Sequence, residues 1–285
     1  MQVFADIASL QAFLEPYWAN NKTIGLVPTM GALHQGHMAL IRQSGQENEL
    51  TVCTIFVNPT QFNNANDLKN YPRTPEADLA ILESSNCGVV FMPTPEVLYP
   101  APTKTTFNFG FLEEVMEGPK RPGHFSGVAT VVSKFFHVVR PTTAYFGQKD
   151  WQQCCVINQL VQDLNFPLQL AFVPTQRNSN GLALSSRNTL LSDNGLAIAS
   201  SLYKSLQAVA KELLDGHLVK NARNKGLAIL NEQPQIELEY LEVADSLSLK
   251  PLEDEHKVQD AVICIAAWLE GVRLIDNLLV KNFHN

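Results

Sequence analysis

The chain is short of positive charge and has no apolar run long enough to cross a bilayer. It carries 21 Lys and Arg against 28 Asp and Glu, a formal net charge of −7. Phosphate backbones are met by net positive patches, so a nucleic-acid surface is disfavoured and any bound phosphate is expected to be small. Hydrophobic residues make up 45% and charged residues 17% of 285, an ordinary globular composition whose apolar segments are too broken to span a hydrocarbon core. No basic stretch followed by an apolar run opens the chain at Met1 to Asp6, so no signal peptide is expected. The five cysteines, Cys53, Cys87, Cys154, Cys155 and Cys264, include no Cys-x-x-Cys pair. That argues against a disulfide framework or a zinc site and fits a reducing cytoplasm. Cys154 and Cys155, adjacent in a predicted helix, read as small core hydrophobes.

What is present centres on Val27-Pro28-Thr29-Met30-Gly31-Ala32-Leu33-His34-Gln35-Gly36-His37. An apolar strand, Thr23 to Val27, there runs into a helix beginning near Gly36. A helix start leaves N–H groups without intrahelical partners at the positive end of the macrodipole, which suits a phosphate. In His34-Gln35-Gly36-His37 the glycine permits close approach to a ligand, and two imidazoles three residues apart can face one phosphate. A histidine at such a place is also a common helix cap.

The remainder reads as alternating strands and helices. Residues 1 to 22 are expected to form a helix with Leu10, Phe13, Leu14 and Trp18 on one face. Leu50 to Val57 and Gly88 to Met92 read as strands buried on both faces, and Thr74-Pro75 as the start of a helix running to about Ser85. Strand Leu50 to Val57 ends in Asn58-Pro59-Thr60-Gln61-Phe62, at the edge where open parallel sheets bind ligands. Residues 93 to 123 read as a lid or flap, or as a solvated loop, with a short strand at Thr105 to Phe109. The flap ends in Lys120-Arg121-Pro122-Gly123-His124, cations and a histidine suited to an anion. A helix over Gly127 to Val139 and a strand over Thr143 to Phe146 follow. A second strand-to-helix turn, Gly147-Gln148-Lys149-Asp150, then leads to a helix reaching about Leu164, with Gln152 and Gln153 available for polar contacts. After a strand over Leu168 to Val173, the segment 174 to 188 changes character, its Ser185-Ser186-Arg187 offering hydroxyls and a guanidinium fork fitted to phosphate. Helices over 192 to 215 and 217 to 232 precede strands over Ile236 to Val243, Ala261 to Leu269 and Val272 to Asp276, with a tight hairpin at Glu270-Gly271.

Six ordered motifs together resemble the pantothenate synthetase (pantoate–β-alanine ligase) family. They are Pro28 to Gly31 with His34 and His37, Phe56 to Phe62, Tyr71 to Thr74, Arg121 to Phe125, Phe146 to Asp150 and Gly181 to Asn188; Ala266 to Leu269 and Arg273 to Asn277 add to the likeness. The His-x-Gly-His element is similar to the signature of adenylate-forming nucleotidyltransferases. The resemblance implies an α/β fold. Residues 1–177 would form a Rossmann-like parallel-sheet domain binding nucleotide and pantoate, and residues 178–285 a smaller α+β C-terminal domain carrying the Ser-Ser-Arg loop.

It also implies ATP-dependent condensation of (R)-pantoate with β-alanine to pantothenate, AMP and pyrophosphate through pantoyl adenylate, by a cytoplasmic homodimer without nucleic-acid or membrane partners. Catalytic roles carry over onto His37, His34 and Lys149. ATP contacts carry over onto Met30, Gly31, Ala32, Leu33, His34, Gln35, Gly36 and His37, onto Gly147, Gln148, Lys149 and Asp150, onto Gln176, and onto Leu184, Ser185, Ser186 and Arg187. Pantoate contacts carry over onto Gln61 and Gln153. Mg2+ is expected with ATP, held by phosphates and water rather than by protein ligands, with Asp78 a weak candidate for a metal contact. Asn180, Thr142 and Gln148 stand where the family commonly has carboxylates, and Asn180 bears on the loop leading to Ser185. Two rivals are another adenylyl-transferring enzyme of the same fold and a noncatalytic nucleotide binder.

Overall fold

The computed structural model describes residues 1–253 and 260–281. The chain divides into two compact units that interleave along the sequence. The first comprises residues 1–109, 118–147 and 156–174, and the second 110–117, 148–155 and 175–285.

The first unit is built on a six-stranded parallel sheet of β1 (Gln2–Phe4), β2 (Ile24–Thr29), β3 (Leu50–Ile55), β4 (Val89–Phe91), β5 (Thr143–Gly147) and β6 (Gln169–Val173), in the order β1-β4-β3-β2-β5-β6. Strands this apolar need cover on both faces. On one face Val27, Cys53 and Val90 pack with Ile41 of helix Gln35–Glu47 and Leu82 of helix Pro75–Glu83. Side chains alternate along a strand, so Phe91 points the other way. It meets Phe135 of helix His124–Val139 edge to face, 6.4 Å between ring centres. The strand order reverses between β2 and β5, and in an open parallel sheet the crevice beyond the carboxyl ends at such a reversal is where ligands bind. β2 there runs into the Met30–His37 turn, and β5 ends at Gly147.

The second unit holds a three-stranded antiparallel sheet of β7 (Glu237–Asp245), β8 (Asp260–Leu269) and β9 (Val272–Lys281), in the order β7-β8-β9. Helices Asp193–Leu214 and Val219–Asn231 share a core with it, including Leu206, Val209, Leu241, Ile263 and Ile265. The β8–β9 connection is the expected tight turn, with Glu270 and Gly271 both left-handed at φ 52 and 75.

Two expected elements are corrected. Residues 1 to 22 are not one helix: Gln2–Phe4 pairs in parallel with β4, and the helix runs only from Ile7 to Ala19. Asp6 caps it by accepting from the Ser9 N–H at 2.9 Å. Thr105 to Phe109 forms no strand; there the Phe107 N–H donates to Ser126 Oγ at 3.0 Å, and the rings of Phe107 and Phe109 stack. All five cysteines are buried and free. Burial pushes the Cys155 thiol up to about 12 and Cys87 to about 11, so both stay neutral and act as small apolar groups.

Candidate active site

The turn after β2 is built from reciprocal contacts. His34 is the N-cap of helix Gln35–Glu47, its Nδ1 accepting from the Gly36 N–H at 3.1 Å, while the His34 N–H donates to Nδ1 of His37 at 3.2 Å. The ring of His34 also serves the N–H of His37, which completes a capping box with imidazoles in place of the usual Ser/Thr and Glu. An Nδ1 that accepts carries no proton, so in the neutral form each ring bears its N–H on Nε2. The two rings lie 4.1 Å apart between centres, just beyond the carboxyl end of β2. Gly36 has a structural part in this cap. A Cβ there would lie 2.7 Å from the His34 ring, so the glycine makes room for the cap. Of the helix-start amides expected to await a phosphate, those of Gly36 and His37 are committed to His34.

Upstream, Gly31 and Ala32 are left-handed at φ 79 and 50. For Ala32 that conformation costs on the order of 1 kcal/mol and persists only where its surroundings hold it. Asp78 does so. Its carboxylate, 1% exposed, accepts from the N–H of Ala32 at 2.9 Å and of Leu33 at 2.8 Å, and from Thr74 Oγ1 at 3.2 Å. Successive backbone N–H groups in a turn make an anion-binding nest, and the anion held by the amides of Ala32 and Leu33 belongs to the protein. Asp78 is thus an anchor for the turn rather than the metal candidate the sequence suggests. No local signal marks this role, because the amides it holds lie 46 and 45 residues away.

Gln61 is buried in the first unit, at the end of the 3-10 turn Pro59–Gln61. Its Oε1 accepts from Asn58 Nδ2 at 3.1 Å and its Nε2 approaches Met30 Sδ at 3.0 Å, so Gln61 and Met30 are brought together. Asn58 also donates to the Gly127 carbonyl at 3.1 Å and accepts from Tyr99 and Thr60 hydroxyls at 2.8 and 3.0 Å. This network fixes which way the Gln61 amide faces, a role for Asn58 and Tyr99 that their motif spacing does not reveal. His124 differs from the expectation too. Its Nδ1–H donates to the Gln61 carbonyl at 2.9 Å and its Nε2 receives Arg121 at 3.2 Å. It supports Gln61 from within instead of presenting a ligand from a flap.

In the second unit Gln148, Lys149 and Asp150 form a 3-10 turn, with the Lys149 ammonium 3.8 Å from Asp150. Gln152 is buried and structural, donating to the carbonyls of Leu112 and Val115. Gln153 is half-buried, and its side chain has no hydrogen bond among the described residues. The Gln176 carbonyl accepts from the Leu184 N–H at 2.9 Å, across a hairpin in which Arg177 bridges Ala183. Asn180 lies exposed near the tip. Ser185 caps the short helix Ser186–Leu190, accepting from the Arg187 N–H at 3.3 Å. A recess lined by Lys149, Ser185, Arg187, Asn188, Arg273 and Asp276 brings the Lys149 turn and the Ser-Ser-Arg loop together.

Residues 2–279 match the family profile described as pantoate-beta-alanine ligase. The chain is 45% identical to the pantothenate synthetase of Cytophaga hutchinsonii, covering 96% of this chain and 98% of that one. It is 46% identical to that of Porphyromonas gingivalis, over 98% and 99%. Among solved structures, the pantothenate synthetase of Thermus thermophilus superposes with a TM-score of 0.92 at 40% identity, over 99% and 100% of the two chains. The pantoate-beta-alanine ligase of Francisella tularensis, crystallised with beta-gamma ATP and beta-alanine, gives 0.81 at 35% identity, over 98% and 97%. On profile, sequence and fold alike, the chain belongs to the pantoate–β-alanine ligase family.

Proposed function

We propose that the protein joins pantoate to β-alanine with cleavage of ATP to AMP and pyrophosphate. The observation that carries this reading is the pair of imidazoles, His34 and His37, 4.1 Å apart between ring centres at the strand-order reversal. A pantoate carboxylate oxygen attacks the α-phosphorus, the bond to pyrophosphate breaks, and pantoyl adenylate forms. The free amine of β-alanine then attacks the acyl carbon, AMP leaves with the bonding pair, and the nitrogen loses a proton. The first nucleophile is already ionised at neutral pH, so the protein's task is to stabilise charge gathering on phosphate oxygens.

In this reading His34, His37 and Lys149 supply that stabilisation, with His37 donating a proton or a hydrogen bond. The segments Met30–His37, Gly147–Asp150, Gln176 and Leu184–Arg187 bind ATP. Gln61 and Gln153 hold pantoate through amides that do not neutralise its carboxylate. Residues 1–177 would act as the nucleotide and pantoate domain, with 178–285 adding the Ser-Ser-Arg loop. Mg2+ fits as the companion of ATP, held by phosphate oxygens and water, since the Asp78 carboxylate beside the histidine turn is committed to backbone amides. A homodimer acting in the cytoplasm belongs to the same proposal. Free thiols suit a reducing compartment, no helix among the described residues is long and apolar enough to cross a membrane, and light scattering reads the oligomer.

The test is exchange of labelled pyrophosphate into ATP with pantoate present and β-alanine absent, alongside mass spectrometry for pantoyl adenylate. Exchange that requires pantoate is expected. ADP as product would mark a ligase that forms an acyl phosphate, and exchange indifferent to pantoate or seen only with another acid would assign the chain to a different adenylyl-transferring reaction. Binding of ATP with no exchange would make it a noncatalytic nucleotide binder.

A further inference from the structure

Strand β9 carries two adjacent polar residues into the interior of the second unit, Asp276 and Asn277, only 4% and 5% exposed. Asn277 Nδ2 donates to two successive carbonyls of the 3-10 turn, Gln148 at 2.8 Å and Lys149 at 2.6 Å. Asp276 Oδ1 accepts from the Asn277 N–H at 2.7 Å and from Arg177 Nη2 at 2.9 Å, while Oδ2 pairs with Arg177 Nη1 at 2.5 Å. Arg177 donates further to the carbonyls of Gly181 and Asn277, both at 3.1 Å, and lies 3.8 Å over the ring of Tyr203. One dipeptide therefore grips two segments, the turn that carries Lys149 and the hairpin that leads into Ser185 and Arg187. Burying an amide and a carboxylate on a strand is costly unless every group is matched, and here the matching runs to both chain segments lining the recess.

We propose that Asn277 is a positioning residue for the pyrophosphate-releasing step, holding the backbone of Lys149 so that its ammonium meets the triphosphate, with Arg177 and Asp276 setting the Ser185–Arg187 arm in the same frame. This rests on the role given to Lys149 above. Only a side chain with two N–H groups on one atom bridges two consecutive carbonyls in this way. A carboxylate of the same shape would put negative charge against both.

The experiment compares Asn277→Asp, Asn277→Ala, Lys149→Ala and the double variant Lys149→Ala/Asn277→Asp in the full chain. Adenylation is followed by single-turnover pyrophosphate release. The second half-reaction is followed separately, with β-alanine added to synthetic pantoyl adenylate and enzyme. Misplacing a reacting group by about 1 Å costs on the order of 10²-fold, so both Asn277 variants are expected to slow adenylation about 10- to 100-fold. The second half-reaction and the pantoate KM should stay within about twofold of the parent, and Asn277→Asp should add no more than about twofold once Lys149 is gone. Adenylation at the parent rate in the Asn277 variants beside a slow Lys149→Ala overturns the proposal. So do equal losses in both half-reactions, fully multiplicative losses in the double variant, or failure of both Asn277 variants to fold, since each marks a purely structural residue. Normal adenylation in Lys149→Ala would instead sink the role of Lys149 itself.

Discussion

The turn after β2 and the turn after β5 are held in opposite ways. The first is knit mainly from neighbours: His34 and His37 cap one helix and each other, and Gly36 is small because the His34 ring lies against it. The second takes its support from far along the chain, since the carbonyls of Gln148 and Lys149 are held by an asparagine 129 and 128 residues later. A self-capped turn stays rigid wherever its helix forms, whereas a turn held from a distant strand is only as well placed as the packing of that strand. Chemistry at the first should therefore fail through single residues of the motif, and chemistry at the second through residues that touch no substrate.

The largest effect expected at the self-capped turn is that of His37→Ala. Deleting a donor aimed at developing charge costs roughly 10²–10³-fold in the adenylation rate, seen by single-turnover kinetics as a fall in kcat with little change in the KM for ATP. The variant also loses half of the capping box, so urea unfolding should show about 1 kcal/mol less stability. A near-normal adenylation rate would remove His37 from the mechanism.

The exception to local support at that turn is Asp78, and Asp78→Asn sharpens the comparison. It replaces one acceptor oxygen with an NH2 facing backbone donors, so a loss of about 1.5–3 kcal/mol is expected from urea unfolding, along with slower adenylation as Ala32 leaves its left-handed conformation. Unchanged stability would mean that the turn holds itself without the carboxylate.

The smallest effect is expected at Glu270, which combines both kinds of support. Its place in the β8–β9 hairpin is local, but its carboxylate accepts from the Ser192 hydroxyl at 2.6 Å and the Ser192 N–H at 2.8 Å, at the start of helix Asp193–Leu214. Those hydrogen bonds, the side-chain one first, hold its pKa below the usual 4.5. A carboxylate with a lowered folded pKa stabilises the protein above pH 4.5 and loses that contribution as pH falls through the folded value. Being exposed, it contributes little. Melting curves at about pH 6 and about pH 3.5 should show a slightly larger drop for the parent than for Glu270→Gln; identical drops would count against the linkage.

Much of the architecture was legible in local pattern. The apolar runs of β2, β3, β4, β5 and β6 and the steps of three and four along helix His124–Val139 marked a parallel sheet with helical cover, and Glu270-Gly271 marked a hairpin. Strand β1 escaped because three residues carry no period, and their conformation is set by pairing with β4. Thr105 to Phe109 had the composition of a strand but forms no ladder, its amide at Phe107 going to a serine on a helix.

The site divides along the same line. The residues proposed to carry its chemistry, His34, His37, Gln61, Lys149, Gln153, Ser185 and Arg187, come from motifs that resemble those of the family. Which groups those residues leave available was decided only in three dimensions. Nδ1 of both histidines is taken by the helix start, the amides of Ala32 and Leu33 by Asp78, the Oε1 of Gln61 by Asn58, and the backbone of Lys149 by Asn277. The physical reason is that a motif specifies donors and acceptors, but each buried one must be matched. The partner that matches it comes from wherever the fold brings the chain back.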